Sequence, residues 1–345
     1  MFKYLILIQP LGFMYGSAGG FLSPENLVGR SRAKFPPDAA TLSGLYFSTN
    51  KVQAFTTQED LNKNLYVAGP FWTSETHSKN FYVPLPRTKV VTEKKVDEWT
   101  VNNGKWDRKL QEKDLKDSYG WQRASSWDDL VKTIKNNQHA AESPWKFVSM
   151  LHPKMKPEER HVKAEDGLFL EYAVELPDDV YLAYLSTHKL PEGWYRFGGE
   201  NHVVEVKSIE LSENHPIIKK LSQPIERTFA LITPAVWGSN RLSYRHPQHP
   251  DFPPSQLMLT DKAIPFRYRR GASEKPEKPK NYQDYRVGGQ LGRGRYAVGA
   301  GSVYILEKPL NKSWWDWPEE WFPKEGFSLK KLGCGLCLPL TIAGV

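Results

Sequence analysis

The chain has 345 residues, a formal net charge of +8 and two cysteines, with 39% hydrophobic, 13% aromatic and 25% charged residues. That length predicts about two domains of ~150 residues, each able to bury its own core, and the composition excludes a disulfide-stapled mini-protein or a disordered chain. No apolar run approaches the ~18 residues of a membrane-spanning helix, so no membrane partner is expected, and the sparse cysteines point to a reducing, cytoplasmic setting.

Lys3 ahead of an apolar run and the small residues Gly16-Ser17-Ala18 imitate a secretory leader, but Gln9 and Pro10 end that run after five residues. Leu5-Ile6-Leu7-Ile8 instead predicts a buried first strand. A glycine-bearing stretch over 11–20 and the basic residues Arg30, Arg32 and Lys34 follow. Phe35-Pro36-Pro37 then opens a helix, because proline is tolerated in a first turn whose N–H groups lack partners, and Ala39, Leu42, Leu45 and Tyr46 recur at helical spacing. Residues 88–166 are polar and Lys-rich and read as an insertion with one helix around 127–136. Leu168, Leu170, Tyr172, Val174 and Leu176 share one face at period two, and Pro177-Asp178-Asp179 turns the chain into 180–185, which predicts a β-hairpin. Further strands are expected over 202–211, 228–233 and 302–306. Strand, helix, insertion, hairpin, strand approximates the β-α-β-β-α-β ferredoxin-like order, and the C-terminal third has room for a second, degenerate copy.

The charge is concentrated. Residues 262–312 hold twelve Lys and Arg against four Asp and Glu, while the rest of the chain is balanced. Inside this window lie Arg267, Arg269 and Arg270 and the run Gly288-Gly289-Gln290-Leu291-Gly292-Arg293-Gly294-Arg295. Glycines let backbone N–H groups converge on a phosphate, and the arginines beside them offer a planar fork for it. A dinucleotide fold would place such glycines after an early strand, whereas these precede a late one, so a polynucleotide backbone fits better. Tyr268, Tyr282, Tyr285 and Tyr296 supply rings of the kind that stack on splayed bases. The tryptophans from Trp314 to Trp321 are expected mainly in the core or at an interface. No nucleophile elbow, phosphate loop, kinase or metalloprotease signature occurs. The loop from His246 to Asp251 is too rich in proline for its two histidines to converge by helix spacing, and Cys334-Gly335-Leu336-Cys337 lacks a second pair for zinc. Those cysteines read as small buried residues entering a last strand.

Several of these stretches together resemble the Cmr-type subunit three of type III-B CRISPR effector complexes, in the Cas-five group of RAMP proteins. They are Gln9-Pro10-Leu11, Phe35-Pro36-Pro37 with Thr41-Leu42-Ser43-Gly44, Gly69-Pro70, Tyr82-Val83-Pro84-Leu85-Pro86, Arg196-Phe197-Gly198-Gly199-Glu200, Leu231-Ile232-Thr233-Pro234-Ala235, and Gly294-Arg295-Tyr296-Ala297-Val298 with Ala300-Gly301-Ser302-Val303-Tyr304. The resemblance implies an α+β fold of two ferredoxin-like (RRM-like) domains. We place them over 1–215, with the insertion at about 88–166, and over 216–345, with the glycine-rich loop at 288–301. It implies a noncatalytic subunit that holds the 5′ repeat-derived tag of the crRNA and bridges the large polymerase-like subunit to a backbone RAMP subunit, with no cofactor, metal or small-molecule substrate. The RNA-facing candidates are Arg30, Arg32, Lys34, Gly198, Gly199, Arg267, Arg269, Arg270, Gly292, Arg293, Gly294 and Arg295. Two alternatives remain open: the equivalent subunit of a type III-A or III-D complex, or a RAMP endoribonuclease of the Cas-six type, for which His202 is the one residue placed to serve as acid or base.

Overall fold

The first apolar run becomes strand β1 (Tyr4–Pro10) in the computed structural model, which describes residues 1–15, 35–74, 79–110, 118–153, 156, 161, 162, 168–238, 242–268 and 292–345. The chain continues through β2 (Met14–Tyr15), helix α1 (Ala39–Gln53), helix α2 (Gln58–Asn64), β3 (Val67–Thr73) and β4 (Tyr82–Pro84). Two small hairpins follow, β5 (Lys89–Val91) with β6 (Val96–Glu98) and β7 (Thr100–Asn102) with β8 (Lys105–Asp107). Next come β9 (Trp121–Arg123), α3 (Val131–Asn136), β10 (Ala140–Ala141), β11 (Lys146–Pro153), β12 (Leu168–Glu175), β13 (Tyr181–Ser186), β14 (Gly193–Phe197) and β15 (His202–Glu210). The second half runs α4 (Pro216–Ser222), β16 (Thr228–Leu231), β17 (Trp237–Gly238), β18 (Ser243–Tyr244), β19 (Ser255–Leu259), β20 (Ile264–Phe266), β21 (Arg295–Ala297), β22 (Val303–Leu306) and β23 (Cys337–Pro339).

The result is a mixed α/β structure made mostly of sheets. An eight-stranded antiparallel sheet runs β10-β9-β4-β3-β13-β1-β15-β14. Its central four, β3-β13-β1-β15, stand in the order second, third, first, fourth along the chain, with α1 between first and second. The C-terminal sheet, β19-β22-β16-β23, repeats this order. Where a second helix would join third to fourth in the first sheet, the chain instead forms edge strand β14.

Alternation along β1 explains why its sequence is continuously apolar. Ile6 and Ile8 face Leu42 and Tyr46 of α1 and Val204 and Val206 of β15. Leu5 and Leu7, on the opposite face, join Phe229, Leu231, Tyr304, Trp314 and Trp317 in one core. A strand covered on both faces has no solvent side on which polar residues could alternate. The two halves therefore share a continuous interior through the first sheet.

Three sequence expectations change. The hairpin expected between 168–176 and 180–185 does not form: β12 pairs with β11 and β2, whereas β13 pairs with β1 and β3. All six residues of β13 are buried, so it sits mid-sheet, while β12 belongs to the smaller three-stranded sheet. The polar stretch 88–166 contains strands as well as a helix, and its β9 and β10 extend the main sheet. Strand β3 escaped the sequence reading because Gly69-Pro70 interrupts it; the ladder with β13 shifts register opposite these residues, between Ala183 and Leu185. A Cβ on Gly69 would lie 2.8 Å from the Tyr184 ring. Among the described residues, no helix is long and apolar enough to cross a membrane.

Candidate nucleic-acid interface

One end of the main sheet gathers several of the expected segments. Leaving β1, Leu11 donates its N–H to Val203 O at 3.0 Å, which carries the chain along the start of β15. There Tyr15 meets His202: the imidazole Nε2 lies 3.0 Å from both the N and the O of Tyr15, and the two rings stack with centroids 5.9 Å apart. Tyr184 OH donates to Pro37 O at 2.7 Å and so fixes the entry to α1. The turn joining β14 to β15 closes over that entry. Gly198 takes φ +78°, a left-handed conformation that glycine adopts without penalty, and Asn201 N–H returns to Gly198 O at 3.3 Å. A Cβ on Gly198 would stand 3.9 Å from the Thr41 methyl in the first turn of α1. Gly198, Gly199 and the neighbouring Arg196 are exposed. The segment bearing Arg30, Arg32 and Lys34 lies outside the described residues, but its flanks, Tyr15 and Phe35, are held by His202 and, across 5.2 Å of ring contact, by Trp145.

The glycine-arginine run divides differently from expectation. Strands β20 and β21 pair, and Gly292 N–H donates to Tyr268 O at 2.8 Å while Arg267 Nε donates to Gly292 O at 2.9 Å. Gly292 is buried, and a Cβ there would come within 3.0 Å of Tyr268 O and 3.1 Å of the Glu325 carboxylate. Glycine serves close packing here, and its N–H is already used. Arg295 is 4% exposed and ion-paired with Glu325, itself 6% exposed, whose other oxygen accepts from Tyr268 OH at 3.1 Å. The reading of Gly292 and Arg295 as RNA contacts is therefore corrected: one packs a turn and the other balances a buried carboxylate. Arg293 and Gly294 are exposed, and Arg267 is half-buried. Arg269, Arg270 and the remaining loop glycines lie outside the described residues. Gly198 lies against α1, whereas Gly292 packs against Tyr268 and Glu325.

Sequence reasoning missed Glu325, which no motif marks; only its distance of thirty residues from an arginine with which it shares the interior gives it a role. The tryptophans behave as expected, with Trp314, Trp317 and Trp321 between 1% and 3% exposed. Cys334 and Cys337 are buried free thiols. Val236 N–H donates to Cys334 Sγ, and burial pushes that thiol up to about 12. The His246 ring stacks with Phe252, whereas His249 lies beside Trp321 and, at 3.7 Å, the Asp251 carboxylate.

Comparison with known proteins adds an independent line. A family model described as CRISPR-associated protein (Cas_Cmr3) matches residues 18–341. No curated protein matches the sequence. Among solved structures, the chain is similar to one in the type III-B Cmr-beta complex bound to cognate target RNA, with 12% identity, a TM-score of 0.45 and coverage of 87% of this chain and 86% of that one. It is also similar to a chain of the Csm3-Csm4 subcomplex of the type III-A CRISPR-Cas interference complex, at 11% identity, a TM-score of 0.39 and coverage of 90% and 94%.

Proposed function

The chain belongs to the CRISPR-associated protein (Cas_Cmr3) family, and on that premise we propose that it is a noncatalytic subunit of a type III CRISPR ribonucleoprotein. In this reading it holds the 5′ repeat-derived tag of the guide RNA and bridges the large polymerase-like subunit to a backbone RAMP subunit. The observation that carries the reading is the family match over residues 18–341.

Other features support it. The second-third-first-fourth strand order recurs in both sheets, which favours two ferredoxin-like units even though the described residues between β16 and β19 show no counterpart of α1. The exposed turn at Gly198-Gly199 leaves backbone donors accessible beside Arg196 and above the start of α1, where the peptide dipoles favour an anion. Arg293 presents a second exposed guanidinium next to the basic loop. His202 Nε2 is engaged with the Tyr15 main chain, which is consistent with a positioning role for this histidine.

Expressing the chain with its neighbouring subunits, isolating the assembly through a tag on this chain and sequencing the bound RNA tests the proposal. Guides that share one repeat-derived 5′ end are expected. An assembly that forms without RNA, or whose RNA has random 5′ ends, overturns it.

A further inference from the structure

Helix α2 has seven residues and one buried side chain, Leu61, too little to hold so short a helix by packing alone. Polar ties hold it instead. The Thr57 side chain caps its start, and at its end Lys331 Nζ donates to Asn62 O at 2.6 Å and to Lys63 O at 3.0 Å. Toward the main sheet the ties run through Thr187 and His188, the two residues that follow β13. Thr187 Oγ1 accepts from Tyr66 N–H at 3.0 Å, donates to Asn64 O at 2.8 Å and lies 2.8 Å from His188 Nδ1. On the other side of the ring, His188 Nε2 lies 3.0 Å from Asp60 Oδ2.

These bonds are all made together in one protonation state. Asp60 accepts from Asn64 Nδ2 at 2.7 Å and from Thr56 Oγ1 at 3.0 Å, and the bonds from Asn64, His188 and Thr56 hold its carboxyl down to about 2. An ionised carboxylate only accepts, so Nε2 donates to it. The Thr187 hydroxyl has one proton, directed at Asn64 O, and two lone pairs, of which one takes Tyr66 N–H and the other is open to a donor at Nδ1. Both ring nitrogens then carry protons. A neutral ring would turn a lone pair toward Thr187, whose proton would have to leave Asn64 O, and Asp60 would lose its positive partner. The first and last turns of α2 would each lose a tie.

The other titratable groups around the ring keep their charge across the pH range of an imidazole. From α1, Tyr46 OH donates to His188 O at 2.6 Å, and burial pushes this phenol far up. Beside β3, Tyr66 is pushed up to about 12 by burial and by Glu319, and Lys331 lies 5.8 Å from its ring. From β1, Tyr4 stands opposite Ser186. Glu59 and Lys63 pair with each other at 2.6 Å along α2, and Lys189 is exposed.

We propose that His188 is a proton-operated clasp on α2: the charged ring ties the helix to the end of β13, and the helix loosens as the ring gives up its proton. The tie is complete at low pH and is lost as pH rises through the titration of the ring. Because Lys331 reaches the same helix from the C-terminal half, the clasp sits at the junction of the two halves. It does not depend on the guide-RNA reading.

Hydrogen–deuterium exchange of the purified full chain tests this, with mass spectrometry of peptides covering 57–66 at pH 5.5, 7.0 and 8.5, values that bracket the ordinary imidazole range, and correction for the intrinsic pH dependence of exchange. Protection of α2 is expected to fall about three- to tenfold from pH 5.5 to pH 8.5, while peptides from β16 and β22 keep theirs. His188→Gln retains a neutral donor and is expected to abolish the pH dependence, with protection near that of the original chain at pH 8.5. Asp60→Asn, which removes the anionic partner of the ring, is expected to reduce the dependence. Protection over 57–66 that stays flat across the range, that falls equally in a folded His188→Gln chain, or that changes in step with β16 and β22 overturns the proposal. If His188→Gln does not fold, Asp60→Asn decides, and an unaltered pH dependence there overturns it.

Discussion

Replacing Arg295 by methionine separates the two roles open to this residue, structural partner and RNA contact. Its guanidinium is 4% exposed and faces the Glu325 carboxylate, which is 6% exposed and also accepts from Tyr268 OH. Arg295→Met keeps most of the side-chain volume but strands a carboxylate in the interior, a loss of about 3–5 kcal/mol. For a chain of this size that corresponds to a fall of about 4–7 °C in the unfolding midpoint. The double variant Arg295→Met with Glu325→Leu removes both charges and should recover to within about 1 kcal/mol of the original, because a buried pair is worth little more than apolar groups of similar shape. Urea unfolding of the four species gives the coupling energy directly. Guide-RNA affinity, measured well below the lower midpoint, should be unchanged in the double variant. An Arg295→Met chain that unfolds like the original while its RNA affinity drops would refute the burial argument and return Arg295 to the surface.

The exposed neighbour should behave in the opposite way. Arg293→Ala is expected to leave the unfolding midpoint within about 0.5 kcal/mol of the original and to lower the slope of log affinity against log salt by about 0.7, the share of one phosphate contact on a single strand; filter binding across a salt series reads both affinity and slope. The purified chain should leave repeat RNA intact, and His202→Ala should leave that result unchanged; site-specific cleavage that disappears in His202→Ala would establish a nuclease. Lys330 donates to the carbonyls of Trp315 and Trp317 inside the tryptophan cluster, and desolvation draws its ammonium down to about 8 from 10.5. Between those values the unfolded chain binds the extra proton, so this group makes stability rise with pH across that window. The stability of the original relative to Lys330→Met should therefore increase from pH 8 to pH 10, and a difference that stays flat would contradict the burial of that charge.

Elements whose burial is written in local pattern were legible, and elements set by distant partners were not. Strand β1 could be found because a strand covered on both faces must be apolar throughout, and α1 because Leu42, Leu45 and Tyr46 recur on one side. The turn at Pro177-Asp178-Asp179 is also local and real, with Val180 N–H bonded to Pro177 O. A turn, however, does not decide which strands pair, and here the two strands it joins enter different sheets. Strand β3 was hidden because its Gly69-Pro70 pair reads as a breaker; its register shift and the space needed by Tyr184 are long-range facts. The same limit governs the site. Arg293 and Arg295 are indistinguishable as letters, and the difference is that Arg295 lies inside β21, where a buried glutamate thirty residues further on meets it, whereas Arg293 stands outside the strand.

Ultraviolet crosslinking of the assembled ribonucleoprotein, with peptides and nucleotides both identified by mass spectrometry, bears most directly on the proposed grip on the guide. Crosslinks from the 5′ tag are predicted to fall on the turn over 196–203 and on the segment between Tyr15 and Phe35. Tag nucleotides that crosslink only to other subunits, with these two stretches unmodified, would contradict the account.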